Sequence, residues 1–163
     1  MIITEKIKPE DTCPKERISV AVDIEWFESN KRIQHKRARD GKEFRLKFLN
    51  ENPNLKHGDI LFQDEDNNYT INILPCDCLV IVPKNNFETA SICYEIGNKH
   101  LPLFYDNDAL LVPFEKPLFR QLLAMGFEIR QEERALLTPL KTSVAPHVES
   151  DSLFSKIMNL TQK

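Results

Sequence analysis

The sequence predicts an α+β protein: an N-terminal all-β domain, then a ferredoxin-like βαββαβ domain, then a flexible C-terminal tail. Three observations carry this prediction. β-Branched and aromatic runs, separated by turns rich in Asp and Asn, fill the first half. Around Leu74-Pro75 the pattern changes, and two helical stretches alternate with short apolar strands. Past residue 140 the chain opens on Thr, Ser and Pro, a composition that favours mobility. The expected divisions are 1–74, 75–140 and 141–163.

In chain order, "ISVAVDIEWFE" (18–28) has strand composition. "RIQHKRA" and "EFRLKFL" flank Asp40-Gly41, a strong tight-hairpin signal. Phe44, Leu46 and Phe48 alternate with charges, as a half-buried strand should. "DILF" and "YTINIL" form a second hairpin across "QDEDNN". In the second half "CLVIVP" (78–83) is an apolar strand. Helical spacing follows across Phe87, Ala90, Cys93, Tyr94 and Ile96, with Asn85 or Asn86 as the cap and Gly97-Asn98 as the stop. "LPLFY" and "ALLV" are strands separated by "DND". In "PFEKPLFRQLLAMG", Pro117 suits the first turn of a helix and Gly126 its end. "FEIRQEE" or "ALLTPL" supplies the last strand. In the tail, Leu153, Phe154, Ile157, Met158 and Leu160 are spaced to form one apolar face of a short helix.

The 163 residues carry a net charge of -3, which gives no general reason to expect nucleic acid as a partner. No signal-peptide core and no membrane span is present, so a cytoplasmic protein with no membrane partner is expected. Without an export signal, Cys13, Cys76, Cys78 and Cys93 are expected as thiols. The chain has no Gly-rich phosphate loop, no serine elbow and no His-Glu-x-x-His helix, so it is not expected to be an enzyme.

Cys76 and Cys78 in "PCDC" share one face of an extended segment and could hold a soft metal, but no second pair exists to complete a thiolate site. A rival reading makes one of them a reactive thiol. Cys93 is expected to be a buried small hydrophobe. "KRIQHKRAR" (31–39) is the most basic run. An RNA- or ribosome-associated module using it is the alternative function, although a strand splits its charges between two faces and lysine and arginine also guard an edge. His35 and His57 read as surface residues.

"ICYEIGNKHLPL" (92–103) places His100 just after a helix and before an apolar strand. Its plain role would be a histidine favoured by the helix dipole. The segment resembles the signature of the urease accessory protein E family, nickel metallochaperones with Gly-Asn-Arg/Lys-His at this point. Gly97-Asn98-Lys99-His100 is the most specific part of the resemblance. "DIEWFE", "GDILF", "NIL" and "PFEKPLFRQLLAMGFE" extend it over roughly residues 18 to 130.

The resemblance implies a β domain followed by a ferredoxin-like metal-binding domain. It implies a homodimer in which His100 meets its copy near the two-fold axis and holds Ni²⁺. It implies delivery to a urease maturation complex through a GTPase, urease accessory protein G. Family tails often add histidines. Here the tail has one, His147, expected as a mobile extra ligand, with Glu149 a weaker oxygen donor. Zn²⁺ or Cu²⁺ could also bind, and copper wins on intrinsic affinity. The chain departs from the family in lacking a histidine-rich tail and histidines near the second helix. The apolar face of 153–160 could dock on the GTPase.

Overall fold

The computed structural model describes residues 1–7, 16–50 and 52–140. Among these residues, ten strands and two α-helices form the expected β domain followed by an α+β domain.

The first half contains β1 (Ile2–Ile3), β2 (Ile18–Ile24), a 3-10 turn (Trp26–Glu28), β3 (Ile33–Arg37), β4 (Glu43–Lys47), β5 (Ile60–Gln63) and β6 (Asn67–Ile73). They make two three-stranded sheets, β1-β4-β3 and β2-β6-β5. Alternation explains the shared core: Val22 and Ile24, Phe44 and Leu46, and Tyr69, Ile71 and Ile73 all point inward. The expected strand 18–28 stops at Ile24, and Trp26 begins the 3-10 turn. β1 was not anticipated; two residues are too few to show a period. It pairs in parallel with β4.

A polar cluster ties the two hairpins together. Lys42 Nζ donates to Asp64 at 2.8 Å and lies 4.3 Å from the Tyr69 ring centroid. The Tyr69 hydroxyl donates to Asp40 at 2.8 Å. The bond from Lys42 holds the Asp64 carboxyl well below the usual aspartate value of 3.8, with help from the Asn67 and Asp66 N–H groups. Asp40 is lowered by the Lys42 backbone N–H and then by Tyr69. A carboxyl lowered in the folded state contributes stability above its unfolded value and loses that contribution as pH falls toward its folded value. Thermal stability should therefore decline below about pH 4. In Lys42→Met the decline should be shallower, as read by melting temperature against pH.

The second half is β7 (Cys76–Ile81), α1 (Asn86–Asn98), β8 (Phe104–Asp106), β9 (Ala109–Pro113), α2 (Lys116–Ala124) and β10 (Ile129–Arg134). The sheet order is β10-β7-β9-β8, with every pairing antiparallel. This is the expected ferredoxin-like pattern. Residues 78–81 of β7 are buried on both faces, which is why they read as an unbroken apolar run. Leu79 and Ile81 pack with the two helices, through Ile92, Ile96, Leu118 and Leu122. Cys78 and Val80 belong to a separate cluster with Phe104, Leu111 and Leu136.

Trp26 packs against that second cluster and also against the first-half core. Its ring meets Phe104 edge-on, 5.6 Å between centroids. Both candidates for the last strand are used. Residues 129–134 form β10, and the following segment buries Leu136 and then bridges β8 at Phe104 and Pro139.

Candidate functional site

Helix α1 starts as expected. Asn85 Oδ1 accepts from the Glu88 N–H at 3.0 Å, and the Glu88 carboxylate accepts from the Lys84 N–H at 2.9 Å. Its end differs from the expectation. Gly97 and Asn98 are still helical, and the residue with left-handed backbone is His100, at φ 54°.

The bonds there define a Schellman ending. The His100 N–H donates to Gly97 O at 3.0 Å, and the Leu101 N–H donates to Ile96 O at 3.3 Å. Leu101 then packs on the core cluster that contains Ile96. Helix α2 closes in the same way: the Gly126 N–H donates to Leu123 O, and the Phe127 N–H to Leu122 O. There the left-handed slot holds Gly126, at φ 84°. One chain thus uses the motif twice, once with the residue that suits it and once with a histidine. A side chain in this conformation costs about 1 kcal/mol. No contact of the imidazole among the described residues offsets it: His100 is exposed, and its imidazole has no hydrogen-bond partner there.

Gly97, one turn back, has the opposite character. It sits in ordinary helix, and a methyl group there would meet nothing within 4 Å. Alanine would favour the helix by about 1 kcal/mol. Nothing among the described residues requires the small residue.

The apolar positions of α1 divide into two faces. Ile92 and Ile96 are buried, and Cys93 is half-buried rather than fully buried. Phe87 and Tyr94 face outward at 80% and 68% exposure, with Ala90 and Gly97 also exposed between and beyond them. These residues line up at helical spacing toward His100.

The path of residues 138–140 bears on the same end. The Tyr105 N–H donates to Thr138 O at 2.9 Å, and the Leu140 N–H to Leu103 O at 2.8 Å. This pairing is antiparallel, so the chain passes residue 140 heading toward the His100 end of α1. His147 and Glu149 lie outside the described residues, as do Cys13 and the 153–160 stretch.

The remaining sequence candidates fare as follows. Cys78 is fully buried, and its thiol lies 3.2 Å from Glu132 O. Burial pushes that thiol up to about 11. Cys76 is half-buried and also raised, by burial and then by the nearby Glu25, Asp77 and Glu133 carboxylates. A reactive thiol requires the reverse shift. Neither the nucleophile reading nor the soft-metal reading gains support. His35 and His57 are exposed, as expected. No group of three His, Cys, Asp or Glu able to hold a metal ion occurs among the described residues. No described helix is long and apolar enough to cross a membrane.

Comparison with known proteins gives a consistent result. Residues 3–74 match the family model described as UreE urease accessory protein, N-terminal domain, and residues 76–148 match its C-terminal domain. The urease accessory protein UreE of Flavobacterium johnsoniae is 45% identical over 148 residues, which cover 90% of each chain. That of Haemophilus influenzae is 40% identical over 82% of this chain and 70% of its own. That of Acetivibrio thermocellus is 37% identical over 80% of this chain and 85% of its own.

Proposed function

The chain belongs to the UreE urease accessory protein family, and from that premise we propose that it is a cytoplasmic nickel metallochaperone acting in urease maturation. Ni²⁺ is its cargo. His100 from each of two subunits holds the ion, and His147 is a mobile further ligand. The recipient is the urease maturation complex, reached through the GTPase urease accessory protein G. In this reading Leu74-Pro75 divides a first domain from the domain that carries the metal.

The observation that carries the reading is the exposed imidazole of His100, without a hydrogen-bond partner among the described residues, in a left-handed slot that glycine fills elsewhere in the same chain. Strain kept at one residue points to a use outside the fold. Two further features support the proposal. The outer face of α1 is apolar and runs to His100, so a second copy packed there would bring the two imidazoles together about a two-fold axis. No group of three candidate ligands occurs among the described residues, so a site of three or more side-chain ligands that includes His100 must draw at least one from another copy or from outside those residues.

His147 is within reach. It lies seven residues beyond Leu140, a span of up to roughly 24 Å when extended. Leu140 is bonded to Leu103, three residues from His100. A ligand on such a tether can leave first and give way to one from the recipient. Nitrogen donors with open positions suit Ni²⁺, and water can complete the shell.

Calorimetric nickel titration with molar mass followed by light scattering tests the proposal. The expected result is a dimer that binds about one tight ion. Protons compete with the metal for imidazole, so affinity should fall on acidification. In His147→Ala, affinity or transfer rate should drop while the dimer persists. A monomer that binds nickel as tightly as the wild type would overturn the shared site.

A further inference from the structure

The β1-β4-β3 sheet carries a second surface, on the far side of its core. Ile33, His35 and Arg37 alternate outward from β3, and Glu43, Arg45 and Lys47 from β4. Pairing sets His35 opposite Arg45 and Ile33 opposite Lys47. The Met1 ammonium lies beside them and donates to Glu43 O at 3.0 Å. A concavity of about 460 Å³ opens here, lined in part by Ile2, His35, Arg37 and Arg45.

The charge on this face is unusual for the molecule. The chain as a whole is at -3, yet the outward positions of β3 and β4 hold Arg37, Arg45 and Lys47 against Glu43. Inside the basic run the strand does split the charges, since Lys36 turns back to pair with Glu28. β4 adds Arg45 and Lys47 to this face, where Glu43 is the one acid. Arg37 is held by Glu43 at 2.7 Å, whereas Arg45 and Lys47 form no ion pair among the described residues. Ile2 and Ile33, 56% and 59% exposed, put apolar surface beside the free cations.

We infer that this face docks an acidic segment of another protein, one in which carboxylates alternate with apolar residues. Charge complementarity supplies attraction and steering toward a positive face on an otherwise negative molecule. Outward side chains spaced two residues apart match an extended partner of the same period. Glu43 and the two isoleucines interrupt any continuous path for phosphates, which favours a peptide over a nucleic acid. The inference is independent of nickel handling and stands or falls without it.

Fluorescence anisotropy of the full chain with a labelled Glu-Val repeat peptide, at low salt and without nickel, tests it. The wild type should bind. Arg45→Glu/Lys47→Glu should weaken binding at least tenfold, roughly, and added salt near 0.1 M, where screening acts over about 10 Å, should weaken wild-type binding. The double variant should keep the wild-type circular dichroism spectrum and nickel titration, since both residues lie on the outer face. The inference is overturned if the wild type does not bind, if the variant binds equally well, or if an oligouridylate binds more tightly than the peptide.

Discussion

Replacing His100 with glycine should abolish tight nickel binding and make the protein more stable. The two effects come from different properties of one residue. The imidazole is the proposed ligand, and its loss removes one donor from each subunit. Changes in the shell outside a metal's ligands already cost about 10- to 100-fold in affinity, so loss of the ligand should cost at least about 100-fold. The backbone effect has the opposite sign. At φ 54° a side chain is strained, and glycine relieves about 1 kcal/mol of that strain. For a chain of this size the melting temperature should rise by about 3 °C.

His100→Ala separates the two contributions. It should lose nickel in the same way without gaining stability, because alanine is strained there too. Calorimetry and thermal melts on the three proteins decide the matter. If glycine at 100 left nickel affinity intact, His100 would be a helix-end residue and no more. If glycine destabilised the fold, the imidazole would have a partner within the molecule.

The paired substitution Phe87→Glu/Tyr94→Glu should yield a folded monomer that has lost tight nickel binding while keeping His100. Both side chains are mostly exposed, so surface-scale effects on stability, within about 0.5 kcal/mol each, are expected. Four added carboxylates across a two-fold contact would repel one another and be desolvated there, which disfavours association. Nickel affinity should then fall with the dimer, again by at least about 100-fold, because each monomer keeps one imidazole. Light scattering and nickel titration on the same sample read both effects. A variant that stays dimeric would move the contact to another surface. A monomer with wild-type nickel affinity would remove the shared site altogether.

The residues that carry local signals were legible. Asn85 caps α1, Pro117 sits in the first turn of α2, and Gly126 ends it, each as its own chemistry dictates. The hairpin at Asp40-Gly41 and the inward alternation of Phe44 and Leu46 were legible for the same reason. Misreadings arose where two signals overlap in one stretch. Gly97-Asn98 looked like the helix stop, yet the helix runs through both. The turn falls at His100 because Ile96 is anchored in the core and Leu101 must return to pack there before β8 can begin. Likewise α1 has apolar residues on two faces, and their spacing cannot say which face the sheet covers. The basic run at 31–39 gave no single patch by itself; its neighbour in space, β4, completes one.

By itself the sequence determined the two-part architecture, the order of the elements after β1, the start of α1 and the end of α2. Those depend on contacts within a few residues, or on a pattern that one strand or helix repeats. The tertiary structure alone decided that the left-handed slot of α1 belongs to His100 and that Phe87 and Tyr94 stay in solvent. It also decided that residues 138–140 run toward His100, and that Arg45 and Lys47 join His35 on one face. Each is set by pairing between segments distant in the chain, and such pairing follows from how the cores close.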